Sequence, residues 1–181
     1  MKKFKLTSEF IVDISGVKLF RIKALIEFGN VKAGDLGGYI EKEENLSHMG
    51  DAWVSDDARI SGNALVFGNA LVFGDAQVFG DAWVFGNARV FGNARVSGDA
   101  QVFGDARVSG DKDYAYAHGF GSCNRTTTFF RLKDGDVGVR CGCFYGTLAQ
   151  FRDKVCETHG ETKKAQEYLM LADLMEIRFK N

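Results

Sequence analysis

The sequence predicts a mainly β protein built around a short β-solenoid, and three observations support this prediction. A six-residue pattern, Ala-x-Val-(Phe/Ser)-Gly-(Asp/Asn), recurs without insertion across residues 51–111. Residues two apart on a strand face the same side, so the alanine and the aliphatic residue of each repeat point inward together. The Gly-Asp or Gly-Asn pair then forms a corner, because glycine allows positive φ and Asp and Asn tolerate it.

Each repeat is therefore one short strand, and such a strand cannot bury its inner face alone. Successive coils must stack, with backbones about 4.7–4.9 Å apart. Identical sides favour a triangular coil of three repeats, which predicts about three coils in residues 51–111 and rows of stacked phenyl rings. The inward ladder is predicted to comprise Ala52, Ala58, Ala64, Ala70, Ala76, Ala82, Ala88, Ala94, Ala100 and Ala106, with Val54, Ile60, Val66, Val72, Val78, Val84, Val90, Val96, Val102 and Val108.

The repeat, as in Gly74-Asp75-Ala76-Gln77-Val78, resembles the hexapeptide repeat of left-handed parallel β-helix proteins. It is most similar to the Gly-Asp-Ala-x-Val type found in many prophage-encoded proteins, and the resemblance implies a left-handed coil. Acyltransferases with this coil use a catalytic histidine between subunits. Here His48, His118 and His159 all lie outside the ladder. We therefore interpret the solenoid as a non-catalytic scaffold and keep acyl transfer as an alternative.

Composition limits the compartment and the partners. The chain has 181 residues, with Lys+Arg 23 against Asp+Glu 24, so bulk charge gives no basic surface for nucleic acid. There is no signal-peptide run and no stretch near the roughly 20 apolar residues of a membrane helix. We expect a cytoplasmic protein with no membrane partner. Four cysteines, Cys123, Cys141, Cys143 and Cys156, are too few for a secreted disulfide scaffold and indicate free thiols or a metal site.

Residues 1–50 are predicted to form an N-terminal β cap and entry coil. Gly34–Gly38 is expected to be irregular, and the charged run Glu41–Glu44 is expected to be a solvated surface. Ser15-Gly16 is predicted to be a tight turn. The predicted strands are Phe4–Leu6, Phe10–Ile14 and Val17–Leu25.

Residues 112–181 are predicted to form a ββαα module. Strands at Thr126–Leu132 and Val137–Phe144 flank an Asp-Gly turn. A capping box at Thr147–Gln150 begins the first helix, and the second runs from about Glu161 to Arg178. The segments Gly119–Ser122, Thr126–Phe130, Cys141–Thr147 and Thr158–Gly160 resemble a C-terminal module that recurs in prophage proteins.

Two surfaces are candidates for binding. The segment Gly119–Ser122 contains two glycines and is called the two-glycine loop. Beside it, the Arg125 guanidinium can hold two oxygens of an anionic group, and this geometry suits a phosphate-bearing or nucleotide-like ligand. An ordinary loop between modules is the alternative. On the solenoid, outward apolar side chains indicate contact with a host protein or a second copy, whereas Arg59, Gln77 and Arg95 are expected to be solvated. The predicted binding residues are His118, Ser122, Arg125, Thr126 and Thr128 in the tail, and Trp53 with Leu71 and Leu65 with Trp83 on two solenoid faces.

Cys141-x-Cys143 followed by Cys156-x-x-His159 is a candidate zinc site, because residues two apart on a strand and three apart on a helix can each bind one ion. Packed or free thiols are the alternative, and no other cofactor is expected. Taken together, the sequence predicts a phage-type binding protein that inhibits a host defence protein. Sequestration of a phosphate-bearing ligand and acyl transfer are the alternatives.

Overall fold

The structure is a computed structural model that describes residues 1–122 and 124–180. It confirms a mainly β fold with a strand-rich N-terminal segment, a β-solenoid, and a C-terminal sheet followed by two helices. The solenoid has about four turns rather than about three, since two of its faces each contain four stacked parallel strands.

The repeat strands pair in parallel with the strands one turn later, for example Trp53 with Leu71 and Val54 with Val72. This register is the one that a triangular coil requires. Every inward alanine and aliphatic residue of the ladder is at most 1% exposed. The strands are β4 (Trp53–Val54), β5 (Arg59–Ile60), β6 (Leu65–Val66), β7 (Leu71–Val72), β8 (Gln77–Val78), β9 (Trp83–Val84), β10 (Arg89–Val90), β11 (Arg95–Val96), β12 (Gln101–Val102) and β13 (Arg107–Val108).

Outer phenyl rings stack as the register predicts. The ring centres of Phe73 and Phe91 lie 5.1 Å apart, and those of Phe67 and Phe85 lie 4.7 Å apart. Phe103 continues the second row at 4.7 Å from Phe85. These rows add apolar contact on the outside of the coil. Inside the coil, the small alanine and valine side chains leave little room for further apolar contact.

The additional turn begins in the segment that was predicted to be irregular. Strand β3 (Leu36–Ile40) pairs in parallel with β5, so Ile40 lies beside Ile60 in the inner ladder. A Cβ atom on Gly38 would come within 2.6 Å of the Ala58 carbonyl oxygen, so a glycine is needed for this close approach. The prediction of an irregular entry coil at Gly34–Gly38 was therefore wrong for its C-terminal half.

The N-terminal hairpin extends the same sheet. Strand β1 (Phe4–Val12) pairs antiparallel with β2 (Lys18–Ala24), and β2 pairs with β3. Phe4–Leu6 and Phe10–Ile14, predicted as two strands, belong mostly to the single strand β1, whose register shifts between Leu6 and Phe10.

The Glu41–Glu44 run is more than a solvated surface. A Glu43 carboxylate oxygen lies 2.8 Å from Lys2 Nζ and 2.8 Å from His48 Nε2, which ties the first residues to the coil. The Glu41 carboxylate accepts a hydrogen bond from the Gly62 backbone N–H at 2.6 Å. These carboxylates therefore have structural partners.

Lys3 closes the first end of the stack. Its Nζ atom donates hydrogen bonds to the carbonyl oxygens of Gly50 at 3.1 Å and Ala52 at 2.7 Å, and the residue is 1% exposed. The amide of Asn45 does the same for the carbonyl oxygens of Gly62 and Ala64. Burial lowers the pKa of Lys3 to about 8, although the nearby Asp51 carboxylate acts in the opposite direction.

The C-terminal module has four strands before its helices, so the ββαα prediction missed its two outer strands. The sheet order is β14-β15-β16-β17. The capping box at Thr147–Gln150 and Gly160 at the end of the first helix are confirmed. One face of the sheet packs against the helices through Phe129 and Val139, and Phe130 on the other face joins the solenoid core. The elements are β14 (Tyr114–Phe120), β15 (Arg125–Arg131), β16 (Val137–Cys141), β17 (Phe144–Thr147), α1 (Leu148–His159) and α2 (Lys163–Phe179).

We predict that Gly80→Ala destabilises the solenoid more than Gly16→Ala does. Both glycines have positive φ, +72° and +82°, so each substitution incurs a conformational cost of about 1–2 kcal/mol. A Cβ atom on Gly80 would also lie 3.1 Å from the Gly98 backbone nitrogen in the next coil, whereas Gly16 has no atom within 4 Å. Urea unfolding of the two variants measures the difference. Equal losses would show that coil spacing does not constrain this corner.

We predict that stability rises with pH between about 8 and 10.5 because of Lys3. The folded-state pKa is about 8 and the ordinary value is 10.5, so in this window the unfolded chain binds more protons. The gain is at most about 3.5 kcal/mol, since one pKa unit corresponds to about 1.4 kcal/mol. In Lys3→Met the rise should be absent and the stability lower at every pH. Parallel urea-unfolding profiles for the two proteins across the window would contradict this assignment.

Candidate ligand pocket

Strand alternation divides the predicted tail site between the two faces of β15. Thr127 packs towards the helices, where its hydroxyl donates to Cys141 Sγ at 3.2 Å. Thr128 faces the solenoid. The residues predicted as one polar cluster therefore do not form one site.

Thr128 is a structural cap rather than a binding residue. It is 1% exposed, and its Oγ1 atom accepts a hydrogen bond from the Gln101 backbone N–H at 3.1 Å. Gln101 lies in the last coil, where no further coil can accept that hydrogen bond. The predicted contact of Thr128 with a ligand stays a prediction that this geometry does not favour, because the residue is buried between the sheet and the coil.

His118 and Thr126 lie together on the surface, away from the pocket described below. The His118 Nδ1 atom is 2.9 Å from Thr126 Oγ1 and 3.8 Å from an Asp99 carboxylate oxygen at a solenoid corner. His118 is exposed, and neither residue lines the cavity beside Arg125. Their predicted role in binding would therefore need a separate contact surface.

The two-glycine loop is fitted against α2. The Gly121 N–H donates to a Glu167 carboxylate oxygen at 2.9 Å, and the Ser122 N–H donates to the Tyr168 hydroxyl oxygen at 3.2 Å. A Cβ atom on Gly121 would collide with the Tyr168 ring. These two backbone donors are thus already engaged, which favours the alternative of a connecting loop over a phosphate-binding loop.

A cavity of about 220 Å³ lies between the sheet and the helices, beside this loop. Its apolar floor is formed by Phe144, Phe151 and Val155. The structure brings five residues that the sequence analysis selected for two different sites to this one cavity: Ser122, Arg125, Cys141, Cys143 and His159. Lys154, Thr158 and Tyr168 also line it.

The charged groups that line the cavity are basic. Arg125 is exposed and its guanidinium lies over Gly142, where a Cβ atom would come within 2.7 Å of Nη1. Among the described residues Arg125 forms no ion pair, whereas Lys154 Nζ lies 2.8 Å from a carboxylate oxygen of Glu157. Arg125 is therefore the cation best placed to receive an anionic group.

Hydroxyl and thiol groups form a hydrogen-bonded chain at the back of the cavity. The Cys141 thiol donates to the Tyr168 hydroxyl oxygen at 3.7 Å. Burial and the contact with Cys141 raise the pKa of Tyr168, so its phenol stays protonated near neutral pH. The His159 ring stacks on the Tyr168 ring with centres 5.8 Å apart. The phenol of this wall is thus neutral and is held by the Cys141 hydrogen bond and the His159 ring contact.

The predicted zinc ligands are only partly brought together. Cys141, Cys143 and His159 line the cavity, but Cys156 is exposed on α1 and does not. Within residues 1–122 and 124–180, no three His, Cys, Asp or Glu side chains are arranged to hold a metal ion. Cys123 lies outside the described residues. The zinc site stays a prediction that this geometry does not favour.

The two apolar solenoid faces differ in exposure. Trp53 is 5% exposed and packs edge-on against Phe28, with ring centres 5.4 Å apart. Trp53 therefore belongs to the core, and its neighbour Leu71 is partly buried against it. The contact surface at these two residues stays a prediction that their burial does not favour. Trp83 is 40% exposed beside Leu65 and remains available for contact.

The sequence analysis selected neither Lys154 nor Tyr168 as a site residue. The position of Lys154 could have been predicted, because Lys154 directly precedes Val155 on the helix face that begins at Phe151. Nothing in the local pattern around Tyr168 indicates the contact with Ser122, which joins residues 46 positions apart. Long-range contacts of this kind need the fold.

A family model described as the YdcK Beta solenoid repeat matches residues 58–74, 88–102 and 100–111. No curated protein matches the chain. The family match lies within the coils and includes none of the cavity-lining residues. In the described part of the chain, no helix has both the length and the apolar character needed to cross a membrane. The chain is therefore a β-solenoid repeat protein whose pocket lies outside the matched repeat.

We predict that Thr128→Val destabilises the protein by about 1–3 kcal/mol, since it leaves the Gln101 N–H buried without an acceptor. Thr126→Val is the matched control, because within the described part of the chain the Thr126 hydroxyl bonds the exposed His118 ring and no backbone group of the coil. Thermal unfolding should therefore separate the two variants. If both melt like the wild type, Thr128 does not cap the coil.

Proposed function

We propose that the protein is a non-catalytic binding protein that holds an anionic group of its partner in the pocket beside Arg125. The observation that supports this proposal is the combination of a guanidinium without an ion pair among the described residues and an apolar, aromatic floor. The planar fork of arginine suits a carboxylate or phosphate, and the floor suits the apolar part that bears it.

The same geometry supports binding more than catalysis. Nucleophilic catalysis by a thiol needs a base within hydrogen-bond reach. The Cys141 thiol instead bonds the hydroxyl groups of Thr127 and Tyr168, and the described hydrogen bonds do not link His159 to Cys141 or Cys143. The cavity is therefore better suited to recognition than to acyl transfer.

The proposed partner is a host protein that presents an acidic side chain. Its more specific form, inhibition of a host defence protein by a phage-type factor, is supported by the resemblance of the repeat to prophage proteins. The exposed Trp83 next to Leu65 offers a second contact for such a partner or for another copy of the chain. A cytoplasmic location agrees with free thiols at Cys141, Cys143 and Cys156.

Sequestration of a small phosphate-bearing ligand is the second candidate. A cavity of about 220 Å³ is large enough for a phosphate group with a small apolar portion, and its aromatic floor can contact a planar base. In that case binding would need no surface beyond the module.

We predict that Arg125→Ala weakens partner binding by roughly 1.5–3 kcal/mol, which is about 10- to 150-fold, because a charged hydrogen-bond donor is lost. Its melt should be nearly unchanged, since the side chain is exposed. The partner would be recovered from host extract, identified by mass, and titrated as purified protein by calorimetry. A recovered nucleotide instead of a protein would favour sequestration.

Two controls sharpen this experiment. Arg125→Lys keeps the charge but loses the fork, so its affinity should fall between those of the wild type and Arg125→Ala. Trp83→Ala tests the solenoid face. If Trp83→Ala abolishes binding while Arg125→Ala leaves it intact, the function resides on the solenoid and the pocket proposal fails.

A further inference from the structure

The turn between β1 and β2 overhangs a face of the solenoid and forms a cleft. The cleft has a volume of about 320 Å³, and Ile14 and Leu19 of the hairpin form one side of it. Arg59, Gln77 and Arg95 of the solenoid form the opposite side. The face that was expected to be merely solvated is thus one wall of an open cleft.

The coil register orders the polar groups of this wall. Arg59 pairs with Gln77, and Gln77 pairs with Arg95, on the parallel strands β5, β8 and β11. Side chains in register on parallel strands point the same way at steps of about 4.8 Å, so the two arginines stand roughly 10 Å apart at the backbone. An amide that can both donate and accept hydrogen bonds lies between them.

The positive charge of this wall is not matched within the protein. Among the described residues, Arg59 and Arg95 form no ion pair, and the Arg95 guanidinium carbon lies 5.7 Å from the centre of the Phe79 ring. The acidic group in the lining is Asp13, whose Oδ1 atom already accepts from the N–H groups of Ser15 at 2.8 Å and Val17 at 2.9 Å.

The hairpin side supplies an apolar surface. Leu19 is 1% exposed, whereas Ile14 at the tip is 99% exposed although it borders the cleft. A ligand held between the arginines would cover Ile14 and remove apolar surface from water. The cleft therefore combines two separated cations with an apolar rim.

We propose that this cleft is a second binding site, for a small molecule that carries two anionic groups, with one group held by Arg59 and the other by Arg95. Two guanidinium groups at this spacing favour a dicarboxylate or a diphosphate over a single anion, because each group then meets its own bidentate donor. Gln77 can bond the portion between them. The inference does not depend on the pocket beside Arg125.

Calorimetry with inorganic diphosphate and with glutarate tests the site. The wild type should bind at least one of these probes, and Arg59→Gln and Arg95→Gln should each lower that affinity at least tenfold. Tighter binding of diphosphate would identify phosphate as the source of the charge, and tighter binding of glutarate would identify carboxylate. Both substituted residues point outward, so unchanged melts would show that the loss is one of binding.

An arginine elsewhere serves as the matched control. Arg89→Gln alters an exposed arginine at the same position of the repeat on another face. This variant should bind the probe like the wild type. The proposal is overturned if the wild type binds neither probe, if the Arg59→Gln/Arg95→Gln double variant binds equally well, or if Arg89→Gln lowers the affinity as much as Arg59→Gln does.

Discussion

The structure depends on the hydrogen bonds between coils. At the strand edges and corners, backbone N–H groups of one coil donate to carbonyl oxygens of the coil that follows, as from Trp53 to Ala70 at 3.0 Å and from Arg89 to Ala106 at 2.9 Å. Within the parallel strand pairs, such as Trp53–Val54 with Leu71–Val72, the two strands exchange bonds in both directions. The bonds outside the strand pairs leave carbonyl oxygens of the first coil without a preceding coil and N–H groups of the last coil without a following one. Since buried backbone groups need partners, these groups at the two ends need different capping partners.

The flanking segments meet this requirement. The first end receives donors, from the Lys3 ammonium and the Asn45 amide. The last end receives acceptors, from the Thr128 hydroxyl to the Gln101 N–H and from an Asp113 carboxylate oxygen to the Ser109 N–H at 3.0 Å. Because Thr128 lies on β15, its hydrogen bond to the last coil holds one face of the C-terminal sheet against that coil. The other face is left to pack against the helices, and the pocket forms there.

The repeat made the solenoid predictable, because its period is visible in every coil from residue 51 onward. The first coil was not predicted from the sequence. Its strand departs from the repeat, because Tyr39 and Arg59 pair across twenty residues and a glycine stands at the position of the inward alanine. The burial of Trp53 under Phe28 and the joining of Ser122 to Tyr168 depend on contacts between distant segments, which no local pattern shows. The face on which Thr128 lies could have been predicted, since strand alternation alone places Thr127 and Thr128 on opposite faces of the strand.

The interior of the coil, made of alanine and valine, offers no group for chemistry, and each strand presents only one fully outward side chain. A single strand therefore cannot surround a ligand. Both clefts described above arise where a segment outside the repeat packs beside a regular sheet: the β1–β2 turn over Arg59 and Arg95, and the helices over β15 and β16. In each case strands of the sheet position the arginine side chains, and the segment packed beside the sheet supplies apolar side chains. Changes in those segments can thus alter recognition while the hydrogen-bonded stack stays the same.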